Sequence, residues 1–336
     1  MICNLWHIKQ TNGLYYYALD YVRAVGVPSV VYVRPALLDA AQAALPGHTV
    51  VATGSAGIMR MLGLALLSNE QVFTPTSHPL PLHRRQLVIV HDDYPFLGRS
   101  GRLKWLMFWV GLYSSGCDVG HINHTTSLDA LRGIAIRPSR LRYMPNSAPN
   151  PSVSAALRAS RIQQHAPHSG RLRIALLGSD SPKKRYASLF DAVRQHRPER
   201  YRFNVFGHAN DYLRDLQCQY PELDIRLASS SEIELSAFLS SIDAVVSVAS
   251  HEGFGRPIAL ALAAGIPAFL LYSPVFAEFF ARSTPLHADI VALAKALDAF
   301  DPARAVPGIF AEQEELARAF NAATCHLRTL GGRRAA

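Results

Sequence analysis

Along this chain, short apolar runs alternate with longer stretches in which apolar positions recur every three to four residues. Residues 1–8 (MICNLWHI) have the apolar density of a strand. The polar loop His7-Ile-Lys-Gln-Thr-Asn-Gly13 follows. From Gly13, residues Leu14, Tyr17, Ala18, Tyr21, Val22 and Val25 fall on one face at helical spacing, which predicts a helix with one buried stripe. Gly26 and Pro28 end it. Residues 29–33 (SVVYV) predict the next strand, and further strands are expected over 49–52, 87–90, 119–123 and 141–144. Strands alternating with helices predict βαβ units and a parallel sheet.

Between residues 145 and 170 the pattern breaks, because Pro, Ser and Asn dominate and no long apolar stripe runs through. A domain boundary is expected there. It divides the chain into residues 1–148, a linker over 149–170, and residues 171–336, whose last helix has the option of packing back on the first domain. The second region repeats the alternation. A strand is predicted over 172–177 and ends at Gly178, a helix over 186–196, and a strand over 203–206 that ends at Gly207 and His208. Ser231-x-x-Glu234 has the form of a capping box opening a helix that reaches Leu239. Residues 242–248 (IDAVVSV) read as a buried strand. The fold expectation is α/β, with two Rossmann-like βαβ domains facing across a cleft and ligands beyond the carboxyl ends of the strands.

The segment 250–267, Ser-His-Glu-Gly-Phe-Gly-Arg-Pro-Ile-Ala-Leu-Ala-Leu-Ala-Ala-Gly-Ile-Pro, follows that last strand directly. Gly253 and Gly255 permit a tight turn and close backbone approach. Pro257 suits the first turn of a helix, and Gly265 with Pro267 suits its end. A helix start behind a Gly-rich loop offers free N–H groups and a positive dipole end to a phosphate. Glu252, at the mouth of the loop, can accept hydrogen bonds from sugar hydroxyls. An ordinary strand–turn–helix corner with an exposed Glu is the competing reading.

Composition narrows the alternatives. With 336 residues, 49% hydrophobic and 18% charged, the chain has globular content and the length for two cores. The net charge of +9 suits anionic partners. The basic residues are dispersed and match no nucleic-acid-binding signature, so nucleic acid is not expected as a partner. Cys3, Cys117, Cys218 and Cys325 are scattered, which argues against a metal site or a disulfide framework. No apolar run reaches the ~20 residues of a spanning helix, and the N-terminus has no signal-peptide pattern, so a cytoplasmic location is expected. Residues 99–113 (RSGRLKWLMFWVGLY) set three cations, Arg99, Arg102 and Lys104, beside Trp105, Phe108, Trp109 and Tyr113. Two readings stand for this helix: burial against the first sheet, or peripheral contact with the inner face of an anionic membrane.

The segment 250–267 resembles the donor-site signature of the family-4 retaining glycosyltransferases, a large group with the GT-B fold. Their pattern runs Ser-x-x-Glu-Gly-Phe-Gly-x-Pro-x-x-Glu-Ala, then Ala-x-Gly-x-Pro. Other matches follow in order along the chain. Thr11-Asn-Gly13 resembles the first Gly loop, Val90-His91-Asp92 the strand-end His-Asp, and Tyr143-Met-Pro-Asn146 the segment closing the first domain. Gly178-Ser-Asp-Ser-Pro-Lys-Lys184 resembles the Gly-Arg…Lys segment, and Val205-Phe-Gly207 the next strand and its Gly. The resemblance implies transfer of a hexose-type sugar from a nucleotide diphosphate donor, such as a UDP- or GDP-sugar, to an acceptor hydroxyl. It further implies retained anomeric configuration, no required metal and no other cofactor. The acceptor, bound by the domain over residues 1–148, would be a glycan or lipid-linked molecule in surface polysaccharide, lipopolysaccharide or glycoconjugate synthesis, and the nucleotide sugar would bind the domain over residues 171–336.

On this resemblance, His91 and Glu252 stand at the reacting sugar. Gly13, Gly178, Lys184, Gly207, His208, Gly253, Phe254, Gly255, Arg256 and Glu278 form the donor site, with Lys184 on the diphosphate. Other readings remain for two of them. Lys183, Lys184 and Arg185 suit a solvated basic turn, and His91 suits a strand-end His satisfied by Asp92 or Asp93. Three departures from the family pattern matter. Leu260 stands where a second Glu binds ribose hydroxyls, Ser179 replaces a phosphate-binding Arg, and Ser273-Pro-Val-Phe276 replaces a Gly-Gly loop. A charge-assisted hydrogen bond contributes about 1.5–3 kcal/mol, so these losses bear on donor affinity. The chain is then a divergent transferase, a transferase for another donor, or a non-catalytic GT-B protein that scaffolds a partner.

Overall fold

A computed structural model describes residues 1–68, 70–92, 98–132, 134, 136–164, 170–178 and 182–332. The chain divides into two compact units. Unit 1 comprises residues 1–147 and 315–336, and unit 2 residues 148–314.

Unit 1 is built on seven strands: β1 (Ile2–Asn4), β2 (Val30–Val33), β3 (Thr49–Ala52), β4 (Val72–Thr74), β5 (Gln86–Val90), β6 (Asp118–His121) and β7 (Leu141–Tyr143). They pair in the order β3-β2-β1-β4-β5-β6-β7, every pair parallel. The helices are α1 (Gly13–Val25), α2 (Leu38–Ala44), α3 (Ser55–Ser68), α4 (Gly98–Ser115) and α5 (Thr126–Asp129). The apolar stripe read in the sequence is the buried face of α1, where Tyr17, Ala18, Tyr21, Val22 and Val25 are all inside. Asn12 caps the helix by accepting from the N–H groups of Leu14 and Tyr15, and Gly26 ends it with φ +67°, a conformation cheap only for glycine. The buried phenols find partners. Tyr17 donates to the Met144 carbonyl at 2.9 Å and Tyr21 to the Pro145 carbonyl at 2.7 Å, which ties α1 to the chain leaving β7. Burying such a ring is worth about 1.5–3 kcal/mol, provided the hydroxyl is satisfied.

Unit 2 opens with α6 (Pro151–Gln164) and has six strands: β8 (Leu172–Leu177), β9 (Tyr201–Gly207), β10 (Asp224–Ser229), β11 (Ala244–Ser247), β12 (Ala268–Leu271) and β13 (Leu286–His287). Their order is β10-β9-β8-β11-β12-β13, again all parallel. The remaining helices are α7 (Tyr186–Val193), α8 (Asp211–Gln219), α9 (Leu235–Ser240), α10 (Arg256–Ala263), α11 (Pro274–Phe280), α12 (Ile290–Ala299) and α13 (Gln313–Gly332). From Glu315 onward α13 belongs to unit 1, where Phe320, Ala323 and Leu327 join the core around α1.

Two sequence expectations need correction. The segment expected as a linker is mostly α6. Its buried positions, Ser154 and Leu157, make a stripe too narrow to read as amphipathic. Its anchors are cations instead: Arg158 donates to the Ala263 carbonyl at 2.8 Å, and Arg161 to the Gly265 and Ile242 carbonyls, both at 3.1 Å. Ser231 and Glu234 also form no capping box. Glu234 is the N-cap of α9 with no side-chain bond, and the Ser231 hydroxyl lies 2.8 Å from that of Ser229 in the turn leaving β10.

Asp224, at the start of β10, accepts from Arg171 at 3.0 Å, Arg202 at 2.9 Å and Arg226 at 2.7 Å. Burial by itself pushes its carboxyl up, but the three guanidiniums outweigh burial and hold it down to about 2. A folded pKa below the unfolded value stabilises above the unfolded pKa, and the benefit is lost as pH falls from about 4 through about 2. We expect Asp224→Asn to cost about 1–2 kcal/mol at pH 7 in denaturant titration, with the difference from wild type shrinking toward pH 2.

Candidate functional site

Both sheets run outward in two directions from a central strand. In unit 1 the chain winds one way through β1, β2 and β3 and the other through β4 to β7. In unit 2 the division falls between β8 and β11. The connections beyond the carboxyl ends of two such strands depart to opposite sides and leave a crevice, which is where open α/β sheets bind ligands.

In unit 2 the loops after β8 and β11 flank this point. Lys184 and Glu252, 68 residues apart, meet there with Nζ 3.0 Å from Oε2. Both are largely buried, with side chains 14% and 25% exposed. The two loops are also joined through the main chain, since the Ser250 N–H donates to the Lys183 carbonyl at 3.0 Å and its hydroxyl to the same oxygen at 3.2 Å. Lys184 is therefore no freely solvated turn residue. Arg185, which follows it, sits at φ +55° as the N-cap of α7. A non-glycine residue held in that region marks a loop fixed by its surroundings. Gly178 ends β8 at φ +89°, with its carbonyl accepting from the Tyr186 hydroxyl at 2.6 Å. Gly207 closes β9, and its carbonyl accepts from the Ser230 N–H at 2.9 Å. The His208 ring lies 3.3 Å from the Ser230 hydroxyl.

The Gly-rich loop ends at Gly255, the N-cap of α10, at φ +94°. A Cβ there would stand 3.2 Å from Ile258 Cδ1 and 3.4 Å from the Phe280 ring. Arg256 and Pro257 begin the helix, as the sequence indicated. Its end is a Schellman turn. Gly265 at φ +85° donates to the Leu262 carbonyl, and Ile266 donates to Ala261. Phe254 is a correction. It is 3% exposed and packs against Phe279, Phe280 and Phe310, so its side chain is a core element and only its backbone is available to a ligand. Glu278 lies half-buried on α11, whose N-cap Ser273 accepts from the Phe276 N–H. Leu260 lies within α10. Ser179 and Asp93 lie outside the described residues.

In unit 1, Gly13 is the exposed first residue of α1, and a Cβ at that position would meet nothing within 4 Å. The fold therefore does not require glycine here, and any such requirement comes from a ligand. His91, just beyond β5, places Nε2 2.9 Å from the Pro75 carbonyl. A carbonyl can only accept, so Nε2 carries the proton. The His91 ring edge meets Tyr17 at 4.6 Å between centroids.

Sequence reasoning missed one cluster. His7, after β1, and His78, after β4, stack face to face, with centroids 3.8 Å apart and planes 7° from parallel. Trp6 meets His7 edge-on at 5.0 Å, and the Arg34 guanidinium lies 4.6 Å over Trp6 while its Nε donates to the Trp6 carbonyl. Residues 7 and 78 share no local pattern. Only the β1–β4 pairing brings them together. Burial, then His78 and Arg34, push His7 down to about 3, and burial, then Lys104, push His78 down to about 4. Among the described residues, no group of three or more His, Cys, Asp or Glu is placed to hold a metal ion.

Comparison with solved structures identifies the architecture. Alr3699/HepE of Anabaena, solved with UDP and glucose, is 14% identical over 98% of this chain and 95% of its own, with a TM-score of 0.67. WaaG, a glycosyltransferase involved in lipopolysaccharide biosynthesis, is 13% identical over 98% and 95%, also at 0.67. The lipopolysaccharide outer core galactosyltransferase WaaB, in its apo form, is 11% identical over 98% and 99%, at 0.55. No protein-family model and no curated protein matches the sequence. We expect Gly255→Ala to lower stability by roughly 1–2 kcal/mol, measured by thermal and denaturant unfolding, because alanine resists a positive φ. By the same measure Gly13→Ala should be neutral. The structural likeness extends over nearly the whole chain and shows that its two parallel α/β units form the GT-B fold.

Proposed function

We propose that the chain is a glycosyltransferase that moves a hexose-type sugar from a nucleoside diphosphate donor to an acceptor hydroxyl, with retention and without a metal. The observation that carries this reading is the Lys184–Glu252 pair in the crevice of unit 2, beside the start of α10. The pair joins the two functions a donor sugar needs. In the reaction, the bond from the anomeric carbon to the diphosphate oxygen breaks and a bond to the acceptor oxygen forms. The acceptor proton passes to the departing diphosphate. Negative charge accumulates on that leaving group, where the Lys184 ammonium and the N–H groups opening α10 stabilise it. Glu252 accepts hydrogen bonds from donor-sugar hydroxyls. Gly178, Gly207, His208, Gly253, Arg256 and Glu278 complete the donor site, and Gly13 and His91 keep the roles the resemblance gave them. Alr3699/HepE was solved with UDP-glucose and WaaG serves lipopolysaccharide synthesis, which supports a uridine donor as the first to test and surface glycan assembly as the setting.

Because Lys184 and Glu252 neutralise each other before a ligand arrives, their variants separate the two roles. Lys184→Met should weaken both UDP and UDP-sugar, by roughly 10- to 100-fold in calorimetric Kd. Glu252→Gln should weaken the UDP-sugar by a similar factor but leave UDP unchanged or tighter, since a carboxylate beside the diphosphate is removed. Loss of UDP binding in Glu252→Gln would contradict this division. A wild-type protein with no nucleotide-dependent shift across a panel of donors would overturn the transferase reading and leave the non-catalytic scaffold.

A membrane setting is the second element of the proposal. Among the described residues no helix is long and apolar enough to cross a bilayer. Helix α4 buries Phe108 and Leu112, yet it exposes Leu103, Leu106, Met107, Trp109, Val110 and Tyr113 beside Arg102 and Lys104. An apolar belt flanked by cations matches the interface of an anionic leaflet. Vesicles containing anionic lipid should sediment the wild type and lose a Leu103→Ser/Met107→Ser/Tyr113→Ser variant that melts normally. Equal sedimentation of both would remove the membrane contact.

A further inference from the structure

A sheet is open along its two outer strands, and natural chains guard such edges with charge, short length or a covering group. The outer strands here are β3 and β7 in unit 1 and β10 and β13 in unit 2. Three of these edges are guarded. β10 carries Asp224 and Arg226, and the Gln217 side chain on α8 donates to its Ile225 carbonyl at 3.0 Å. β7 carries Arg142, whose guanidinium lies 3.6 Å from Asp118. β13 is two residues long. The fourth edge, β3, reads Thr49-Val-Val-Ala52 and has none of these devices.

The ladder fixes which groups of β3 point outward. The Thr49 N–H donates to the Ser29 carbonyl at 3.0 Å and the Thr53 N–H to the Val33 carbonyl at 2.8 Å. Backbone groups alternate in direction along a strand, so those of Val50 and Ala52 point away from β2. Among the described residues no hydrogen bond reaches them.

The surroundings of this edge carry almost no charge. From Pro35 to Met59, through α2 and β3 into α3, Asp39 is the single Asp, Glu, Lys or Arg, although 18% of the whole chain is charged. Burial lowers the pKa of His48, just before β3, which keeps that ring neutral at pH 7. Helix α2 exposes Asp39, Ala40, Gln42 and Ala43, and β3 exposes Thr49 and Ala52, so small side chains leave room for close approach. Two copies of a chain with net charge +9 repel each other. This edge lets them meet without bringing like charges together. A contact about a two-fold axis also needs a self-complementary patch, and an uncharged strand edge is one. A charged partner would find no counter-charge here.

We propose that two copies of this chain pair antiparallel through β3, about a two-fold axis at Val51, so that their seven-stranded sheets become continuous. Val50 then stands opposite the partner's Ala52, and each such pair exchanges two hydrogen bonds. Val51 faces its own counterpart. This inference does not depend on the transferase reading.

The test follows the full chain, with exposed Cys218 and Cys325 changed to Ser, by analytical ultracentrifugation across a concentration series. A reversible monomer–dimer equilibrium is expected. In the proposed register the two copies of residue 52 are diagonal neighbours, about 7–8 Å apart. Ala52→Lys and Ala52→Glu should each weaken dimerisation by about tenfold, and a mixture of the two should restore it. Ala52→Pro removes an outward N–H without touching the β2 ladder and should weaken it as well. Under mild oxidation Val51→Cys should form a disulfide between copies and Ala52→Cys should not, because position 51 alone faces itself. Should the Ala52 variants melt early, the Val51→Cys cross-link decides. A monomer at every concentration overturns the proposal. So does a dimer that folded Ala52→Lys leaves intact, or one lost instead in the Leu103→Ser/Met107→Ser/Tyr113→Ser variant of α4. A disulfide at position 52 and none at 51 overturns it too.

Discussion

The right-handed crossover is the constraint from which the rest of this structure follows. A parallel strand pair joined by a helix closes in one hand almost without exception. A sheet that grows in both directions from one strand must therefore send consecutive connections to opposite faces. The chain does this twice, at β1/β4 and at β8/β11, with the same strand order on each side of the reversal. Residues far apart in sequence become neighbours there with no local signal linking them. Lys184 with Glu252, and His7 with His78, are both products of that geometry.

This explains which parts were legible in the sequence. The α1 stripe, the strand runs at β3, β5 and β8, and the Gly255–Pro257 helix start are local patterns, and the chain obeys them. Of the strands not predicted, β12 is an apolar Ala-Phe-Leu-Leu run directly after Pro267, whereas β13 has two residues and the other two carry little pattern. β4 has three residues, and β10 reads as Asp-Ile-Arg-Leu-Ala-Ser, more polar than its neighbours. Helix α6 was hidden because arginine–carbonyl bonds anchor it rather than an apolar face. Phe254 was misread because a motif position does not reveal whether its side chain or its backbone faces the ligand. The Gly255–Pro257 helix start was legible through the motif, whereas the His7–His78 stack in unit 1 has no motif and follows only from the β1–β4 pairing.

The two crevices differ in how they resolve the cost of burial. In unit 2 opposite charges satisfy each other, with Lys184 Nζ 3.0 Å from Glu252 Oε2. In unit 1 burial, then His78 and Arg34, push the His7 imidazole, stacked 3.8 Å from His78, down to about 3.

Helix α13 leaves unit 2 and completes unit 1. Its Phe320 ring packs 4.7 Å from Tyr21, and Arg328 donates to the Val25 carbonyl, 303 residues earlier in the chain. Unit 2 is a continuous segment and has its whole core once residue 314 has been made. Unit 1 is assembled from two segments separated by the whole of unit 2. The core around α1 is therefore closed by residues more than 300 positions away in sequence, whereas every residue of the second core lies within one continuous segment.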